Sequence, residues 1–413
     1  MKLKKICLLS GLILLVLLPS LTGCGMIPSA HATDLMADVT ANKLALSAPA
    51  PDFYNAAKDF SFDLFRQTAS DENPLISPLS VLLALGMTAN GADTHTLAEF
   101  EDVLGNGLPL QTLNEGYAWL IENLPSTSKA KLSLANSIWI REDTSPLPAF
   151  LQTNADYYGA SAYRADFQDP QTVKDLNAWV KKHTDGQIDK VMEQIKPDIV
   201  MLLVNALTFD AEWAKIYEEY QVRDGEFANL SGQKTAVSMM HSEEAIFLKD
   251  DLATGFVKPY AQGYSFVALL PNEGIAFADY VNALDGERFA SLWENAENKM
   301  VYAGLPKFSL SYEATLNDAL SAMGLSSAFS DNADFSRLMD DRGLAIDEVI
   351  HKTKIDVDEK GTKAGAVTVV AIRETAHVIG ETVLLDRPFV YAIVENETGL
   401  PVFLGAVTDL PAK

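Results

Sequence analysis

The stretch that decides the fold runs from His351 to Phe389, HKTKIDVDEKGTKAGAVTVVAIRETAHVIGETVLLDRPF. From Lys354 to Asp358 charged and β-branched residues alternate, Lys354, Asp356 and Asp358 against Ile355 and Val357, which is the period of a half-buried strand. Glu359-Lys360-Gly361 would ordinarily end it. Instead a run of small and β-branched residues follows from Thr362 to Val370, and the next breakers are Gly380 and Pro388. A connection so much longer than the usual ~4–6 residues is either disordered or functional. Val367, Val369, Val370, Ile372, Val378 and Ile379 do not suit a solvated linker. The segment has strand propensity and no evident partner strand.

Glu359-Lys360-Gly361-Thr362-Lys363-Ala364-Gly365-Ala366 resembles the hinge of the serpins, Glu-Glu/Lys-Gly-Thr-Glu-Ala-Ala-Ala. His351-Lys352-Thr353 is similar to that family's His-Lys-Ala, and Arg387-Pro388-Phe389 to its basic-Pro-Phe. Further matches follow chain order: Asn73-Pro74 with Ser77-Pro78-Leu79-Ser80, Asn177 and Trp179-Val180 with Thr184, Gly186 and Ile188, Asn205 to Trp213, and Leu305-Pro306-Lys307-Phe308. The resemblance covers about Pro51 to Leu410. It implies an α+β fold with about three β-sheets, eight or nine helices and an exposed reactive-centre loop.

The residues themselves support helices and strands in this order. Phe53, Ala56, Ala57, Phe60, Leu64 and Phe65 recur at helical spacing after Pro51. Ser77 before Pro78 is a helix start, N-cap then proline at the first helical position, with Gly91 as the stop. Ala130–Arg141 reads as a strand and Pro170–His183 as a helix ending near Gly186. Ile199–Phe209 is almost continuously apolar, as in a strand covered on both faces, so its Asn205 requires a hydrogen-bonding partner. Strand-like segments follow at Phe256–Lys258 and Tyr264–Leu270. Phe389–Val394 and Val402–Val407 flank Asn396-Glu397-Thr398-Gly399 as a hairpin.

The resemblance assigns roles to some of these residues. Ser77, Ser80, Asn205 and His351 match the polar shutter beneath the centre of the large sheet, with His351 implied as the partner of Asn205. Trp213 matches the breach, where insertion starts, although Thr208, Asp210 and Ala211 just before it depart from the family's pattern. Glu359, Gly361, Thr362, Ala364, Gly365, Ala366 and Thr368 form the implied hinge.

By the same resemblance the chain is a serine protease inhibitor acting as a suicide substrate. The loop is cut, the enzyme is acylated, and the cleaved loop enters the central sheet. Thr362, Ala364, Ala366 and Thr368 place small side chains on one parity, as entry demands, and leave Lys363 on the other. The inward parity of Ile355 and Val357 is odd and that of the hinge even, so a bulge at Gly361 is expected to switch it. Counting from the hinge puts the reactive bond at Thr375-Ala376, and counting back from Pro388 puts it at His377-Val378. Thr375 suits an elastase-like or subtilisin-like enzyme. The alternative bond Arg373-Glu374 suits a trypsin-like one. The expected partner is a serine protease, with a cysteine protease as a variant, and the inhibitor is expected to be a monomer. A non-inhibitory serpin-fold binding protein is the alternative.

At the N-terminus Lys2, Lys4 and Lys5 precede an apolar run from Ile6 to Leu18 and the small-residue site Leu21-Thr22-Gly23-Cys24. That tetrapeptide resembles the bacterial lipoprotein box. An ordinary signal peptide cut nearby and an uncleaved anchor stay open beside it. The resulting expectation is a signal peptide over 1–23, a lipidated Cys24 with a flexible tether over 24–50, and a serpin domain over 51–413. It places the folded domain outside the cytoplasm of a bacterium, anchored to the membrane or envelope through the lipid.

Two cysteines, Cys7 and Cys24, give no disulfide framework, so the core alone must hold the domain. A net charge of −24 argues against nucleic acid and against attraction to anionic lipid. The six histidines, His31, His95, His183, His241, His351 and His377, fall in no metal-ligand spacing, and no cofactor or metal is expected. Neither a Gly-x-Ser-x-Gly elbow nor a Gly-x-Gly-x-x-Gly loop occurs. The chain is therefore expected not to be an enzyme.

Overall fold

The computed structural model describes residues 32–69, 73–196, 199–340, 343–362 and 380–412. The described helices are α1 (Pro51–Thr68), α2 (Pro78–Ala89), α3 (Thr94–Gly105), α4 (Leu110–Asn123), α5 (Pro148–Tyr158), α6 (Pro170–His183), α7 (Phe277–Ala283), α8 (Gly286–Glu294) and α9 (Asn317–Ala322). In the first half of the chain the strands are β1 (Thr33–Asp34), β2 (Leu75–Ile76), β3 (Ala130–Arg141), β4 (Ser161–Ala165), β5 (Met201–Glu212), β6 (Val222–Ala228) and β7 (Lys234–Lys249). The second half adds β8 (Ala253–Pro259), β9 (Tyr264–Pro271), β10 (Glu297–Pro306), β11 (Phe308–Thr315) and β12 (Ile350–Val357). Last come β13 (Gly361–Thr362), β14 (Glu381–Leu384), β15 (Phe389–Glu395) and β16 (Pro401–Val407).

The strands form a seven-stranded sheet ordered β1-β4-β3-β5-β13-β12-β11 and a nine-stranded one ordered β14-β10-β7-β8-β9-β15-β16-β2, with β6 added on β7. Two of the three expected sheets thus share β7. Its first half pairs with β6, its middle with β10 and its end with β8, so one long strand serves two local sheets.

Apolar spacing accounts for the layers. α1 buries Phe53, Ala57, Phe60, Leu64 and Phe65, and the Ser77 side chain caps α2 by accepting from the Ser80 N–H at 3.4 Å. Apart from Ala84, α2 is buried all round, which puts it under the seven-stranded sheet as a central pillar. On the other face α6 lays Leu176, Trp179 and Val180 over Trp139, Leu202 and Val204 as a second core. β5 is therefore covered on both faces, as its continuous apolarity predicts, and it runs on to Glu212. Both strands of the β15–β16 hairpin are buried throughout.

The tether expected over 24–50 is corrected for its C-terminal part. Thr33 and Asp34 pair with Arg164 and Tyr163 of β4, Asn42 donates to Asp156 Oδ1 at 2.7 Å, and Gln152 donates to the Thr40 carbonyl at 3.0 Å. The reason is that β4 would otherwise be an edge with unpaired ladder groups, and an adjacent polar segment satisfies them.

Candidate functional site

The hinge is held by a tight hairpin. After β12, Asp358 accepts at Oδ1 from the Lys360 N–H at 2.8 Å and the Gly361 N–H at 3.3 Å, and the Asp358 N–H donates to the Gly361 carbonyl at 3.0 Å. This reversal sets Val357 opposite Thr362. Residues opposite each other share a face, so the odd parity of His351, Thr353, Ile355 and Val357 becomes the even parity of Thr362. The expected bulge at Gly361 is thereby corrected: the turn makes the switch.

β13 then wedges between β12 and β5, pairing Gly361 with Glu212 and Thr362 with Ala211. Glycine is required at 361 by close approach, because a Cβ there would lie 1.9 Å from the Ala211 carbonyl oxygen. Below Thr362 the described residues place no strand between β5 and β12. Two cavities mark that gap. One of about 210 Å³ is bounded by Asp189, Phe209, Lys354, Ile355 and Thr362, and one of about 420 Å³ by α2, the lower half of β5 and residues 343–352. Lys196 closes the bottom from outside, 2.7 Å from Glu348 and 3.4 Å from Asp347.

At the upper end Trp213 is buried and stacks on Tyr260 at 4.4 Å with planes 12° apart. Its indole N–H donates to the Asp358 carbonyl and its backbone N–H to that of Lys360, both at 2.8 Å. Tyr260 OH lies 2.5 Å from Thr362 Oγ1. Glu359 pairs with Lys307 at 2.8 Å; burial alone would raise its pKa, and the Lys307 hydrogen bond and charge bring the net shift downward. The family match at Leu305–Phe308 and the hinge glutamate thus meet.

In the centre, the Ser77 N–H donates to His351 Nε2 at 3.0 Å and Ser77 Oγ donates to the Val402 carbonyl at 2.9 Å. Accepting at Nε2 makes His351 the neutral tautomer protonated at Nδ1. Burial pushes its pKa down to about 4. Asn205 does not bond His351. Its Oδ1 accepts from Ser80 Oγ and its Nδ2 donates to Asn136 Oδ1, while Asn136 donates to the Tyr158 carbonyl at 3.1 Å. The implied Asn205–His351 contact is corrected: Asn205 bonds Ser80 and Asn136, and His351 accepts from the Ser77 N–H.

Ser77, Ser80, Asn205 and His351 therefore come together, as do Trp213, Glu359, Gly361 and Thr362. Ala364, Gly365, Ala366, Thr368, Arg373, Glu374, Thr375, Ala376 and Cys24 lie outside the described residues. Asn136 escaped the sequence reading; its signal is an amide beside Ser137 in a largely apolar strand core. Tyr260 and Tyr217 gave none.

Among the described residues a two-residue strand fills a nearly central position of the seven-stranded sheet, with polar clusters at its top and middle. The chain belongs to the serpin family: the family model "Serpin (serine protease inhibitor)" matches residues 55–410. It is 32% identical to Serpin A3-6 of Bos taurus over 365 residues, 85% of this chain and 87% of that protein. It is 30% identical to thyroxine-binding globulin of Sus scrofa over 368 residues, 85% and 88% of the two chains. The crystal structure of the thermophilic serpin tengpin in its native state superposes with a TM-score of 0.87 at 46% identity, covering 92% of this chain and all of that one.

Proposed function

We propose that this chain traps serine proteases covalently and once. The observation that carries the reading is the β12–β13 register. Continued past Thr362, it would set Ala364 opposite Ile355 and Phe209, Ala366 opposite Thr353 and Leu207, and Thr368 opposite His351 and Asn205. Ala364, Ala366 and Thr368, which follow Thr362 on the buried face, are small, and Val370 and Ile372 continue that parity to the end of the lane. The lane would run to residue 369 along β12 and to residue 372 along β5. On the order of ten new ladder bonds at ~0.5–1.5 kcal/mol each would release roughly 10 kcal/mol. A protease domain is stable by about 5–15 kcal/mol, so the dragged enzyme is deformed before its acyl bond to the inhibitor is hydrolysed.

The target accepts a small residue before the cut, Thr375 with Ala376 after it, as elastase-like and subtilisin-like enzymes do. Lipid on Cys24 holds the inhibitor at the outer face of a membrane. Relatives named for thyroxine binding support a second reading, a non-inhibitory binding protein. The test mixes the protein with elastase, subtilisin and trypsin. A boil-resistant complex on denaturing gels with cleavage after Thr375 is expected. Cleavage without complex favours the second reading. Mass spectrometry of the mature N-terminal peptide checks the diacylglyceryl group on Cys24.

A further inference from the structure

Three consecutive hinge carbonyls, Asp358, Glu359 and Lys360, accept hydrogen bonds from Trp213 Nε1, the Tyr217 N–H and the Trp213 N–H, each at 2.8 Å. All three donors belong to residues 213–217, the short segment that leaves β5. The hinge is thus only as firmly placed as that segment. Beneath the segment lies Lys258, near the end of β8 and 2% exposed in its side chain. Its ammonium group pairs with Glu244, 8% exposed, at 2.9 Å and donates to the Lys215 carbonyl at 3.3 Å. It also sits 4.2 Å from the ring centre of Tyr217 and 5.3 Å from that of Trp213. Glu244 in turn accepts from Ser242 Oγ at 2.6 Å, and Tyr217 OH lies 3.4 Å from Ser242 Oγ.

Among the described residues, the hydrogen bonds, ion pair and ring contacts of the Lys258 amine go to residues 213–217 and to Glu244. Burial depresses its pKa, and Glu244 opposes that shift. A buried ion pair is a poor source of overall stability, since apolar residues of equal volume do as well or better. What an ammonium adds is direction. It fixes a carbonyl oxygen and the faces of two rings at once, which a methionine or leucine in the same space does not.

We propose that Lys258 and Glu244 are the positioning pair of the hinge: they hold residues 213–217 so that three N–H groups meet three hinge carbonyls, and so set how readily β13 leaves its wedge. The consequence for trapping rests on the reading above. The hinge contact does not.

Amide hydrogen exchange on the full chain, wild type against Lys258→Met/Glu244→Gln, tests it. Peptides covering 213–217 and 358–362 are expected to exchange about tenfold faster, the worth of roughly one net hydrogen bond, with β15–β16 unchanged. Unchanged protection at 213–217 and 358–362 overturns the proposal. An equal rise everywhere also overturns it, since that is the mark of a merely structural pair. Should the double variant not fold, Glu244→Gln alone keeps an acceptor for Lys258 while removing the countercharge. A local rise at the same peptides supports the proposal and none overturns it. A second arm holds both proteins at a fixed elevated temperature and assays residual trapping, which the variant is expected to lose sooner. If the wild type traps no protease, the functional reading fails and the exchange result still decides the positioning role.

Discussion

The two edges of β5 are built differently. On one side β3 pairs with it over eleven positions, from Ala130 opposite Ala211 to Ile140 opposite Met201. On the other, the described pairs are Glu212 with Gly361 and Ala211 with Thr362. The same strand, covered on both faces, is paired along one edge for its length and, among the described residues, at its top along the other. A run of unengaged ladder groups inside a sheet is a reserve of hydrogen bonds, and a strand that enters collects them. Polar clusters flank this edge, Trp213, Tyr260 and Thr362 at the top and Ser77, Ser80, Asn205 and His351 midway. Among the described residues the sheet is continuous on the β3 side and reaches only to Thr362 on the β12 side.

The comparison breaks most completely if the wedge cannot lengthen. Thr362→Arg puts a charge where Thr362 now meets Tyr260, at a cost of several kcal/mol when unpaired. Protease is expected to cleave the variant and escape. If the variant formed the boil-resistant complex as well as wild type, insertion on this edge would be wrong.

The shutter should show itself as a pH dependence. His351 binds a proton more weakly folded than unfolded, its pKa falling from the ordinary 6.5 to about 4. Its contribution is therefore whole above pH 6.5, is lost as pH falls toward 4, and amounts to about 3 kcal/mol. Denaturant unfolding of wild type against His351→Gln should diverge in pH slope across that window. Parallel slopes would remove His351 from the account.

A smaller effect is expected on the filled edge. Asn136→Ala strands Asn205 Nδ2 and the Tyr158 carbonyl, costing ~1–3 kcal/mol in unfolding midpoint without changing trapping. The least is expected at Lys196→Ala. Its ion pair with Glu348 is half exposed, so thermal stability should move by less than ~1 kcal/mol. A larger loss would mean that this surface contact holds the open edge.

Much of this was legible before the structure. Ala130–Arg141 and Pro170–His183 were bounded to the residue, because alternation and helical spacing are local signals. The strand read as Lys354–Asp358 begins four residues earlier, at Ile350, since His351 and Lys352 do not look like strand formers until their sheet neighbours are known. Asn205 was rightly read as needing a partner, and the partner was missed. Asn136 is 69 residues away, and nothing in the spacing ties the two. The bulge expected at Gly361 failed because parity was followed through the turn as though the strand ran straight.

By itself the sequence determined the local elements, the small residues of one parity after Gly361, and the family pattern that ties His351, Trp213 and the hinge to one sheet. These depend on neighbours in the chain, whose period and bulk are written there. Only the tertiary structure decided that a hairpin turns Gly361 and Thr362 in between β12 and β5, that Ser80 and Asn136 take Asn205 while Ser77 takes His351, and that Lys258 and Glu244 lie under residues 213–217. Those facts depend on which strands lie side by side, and a buried amine has the same letter as an exposed one.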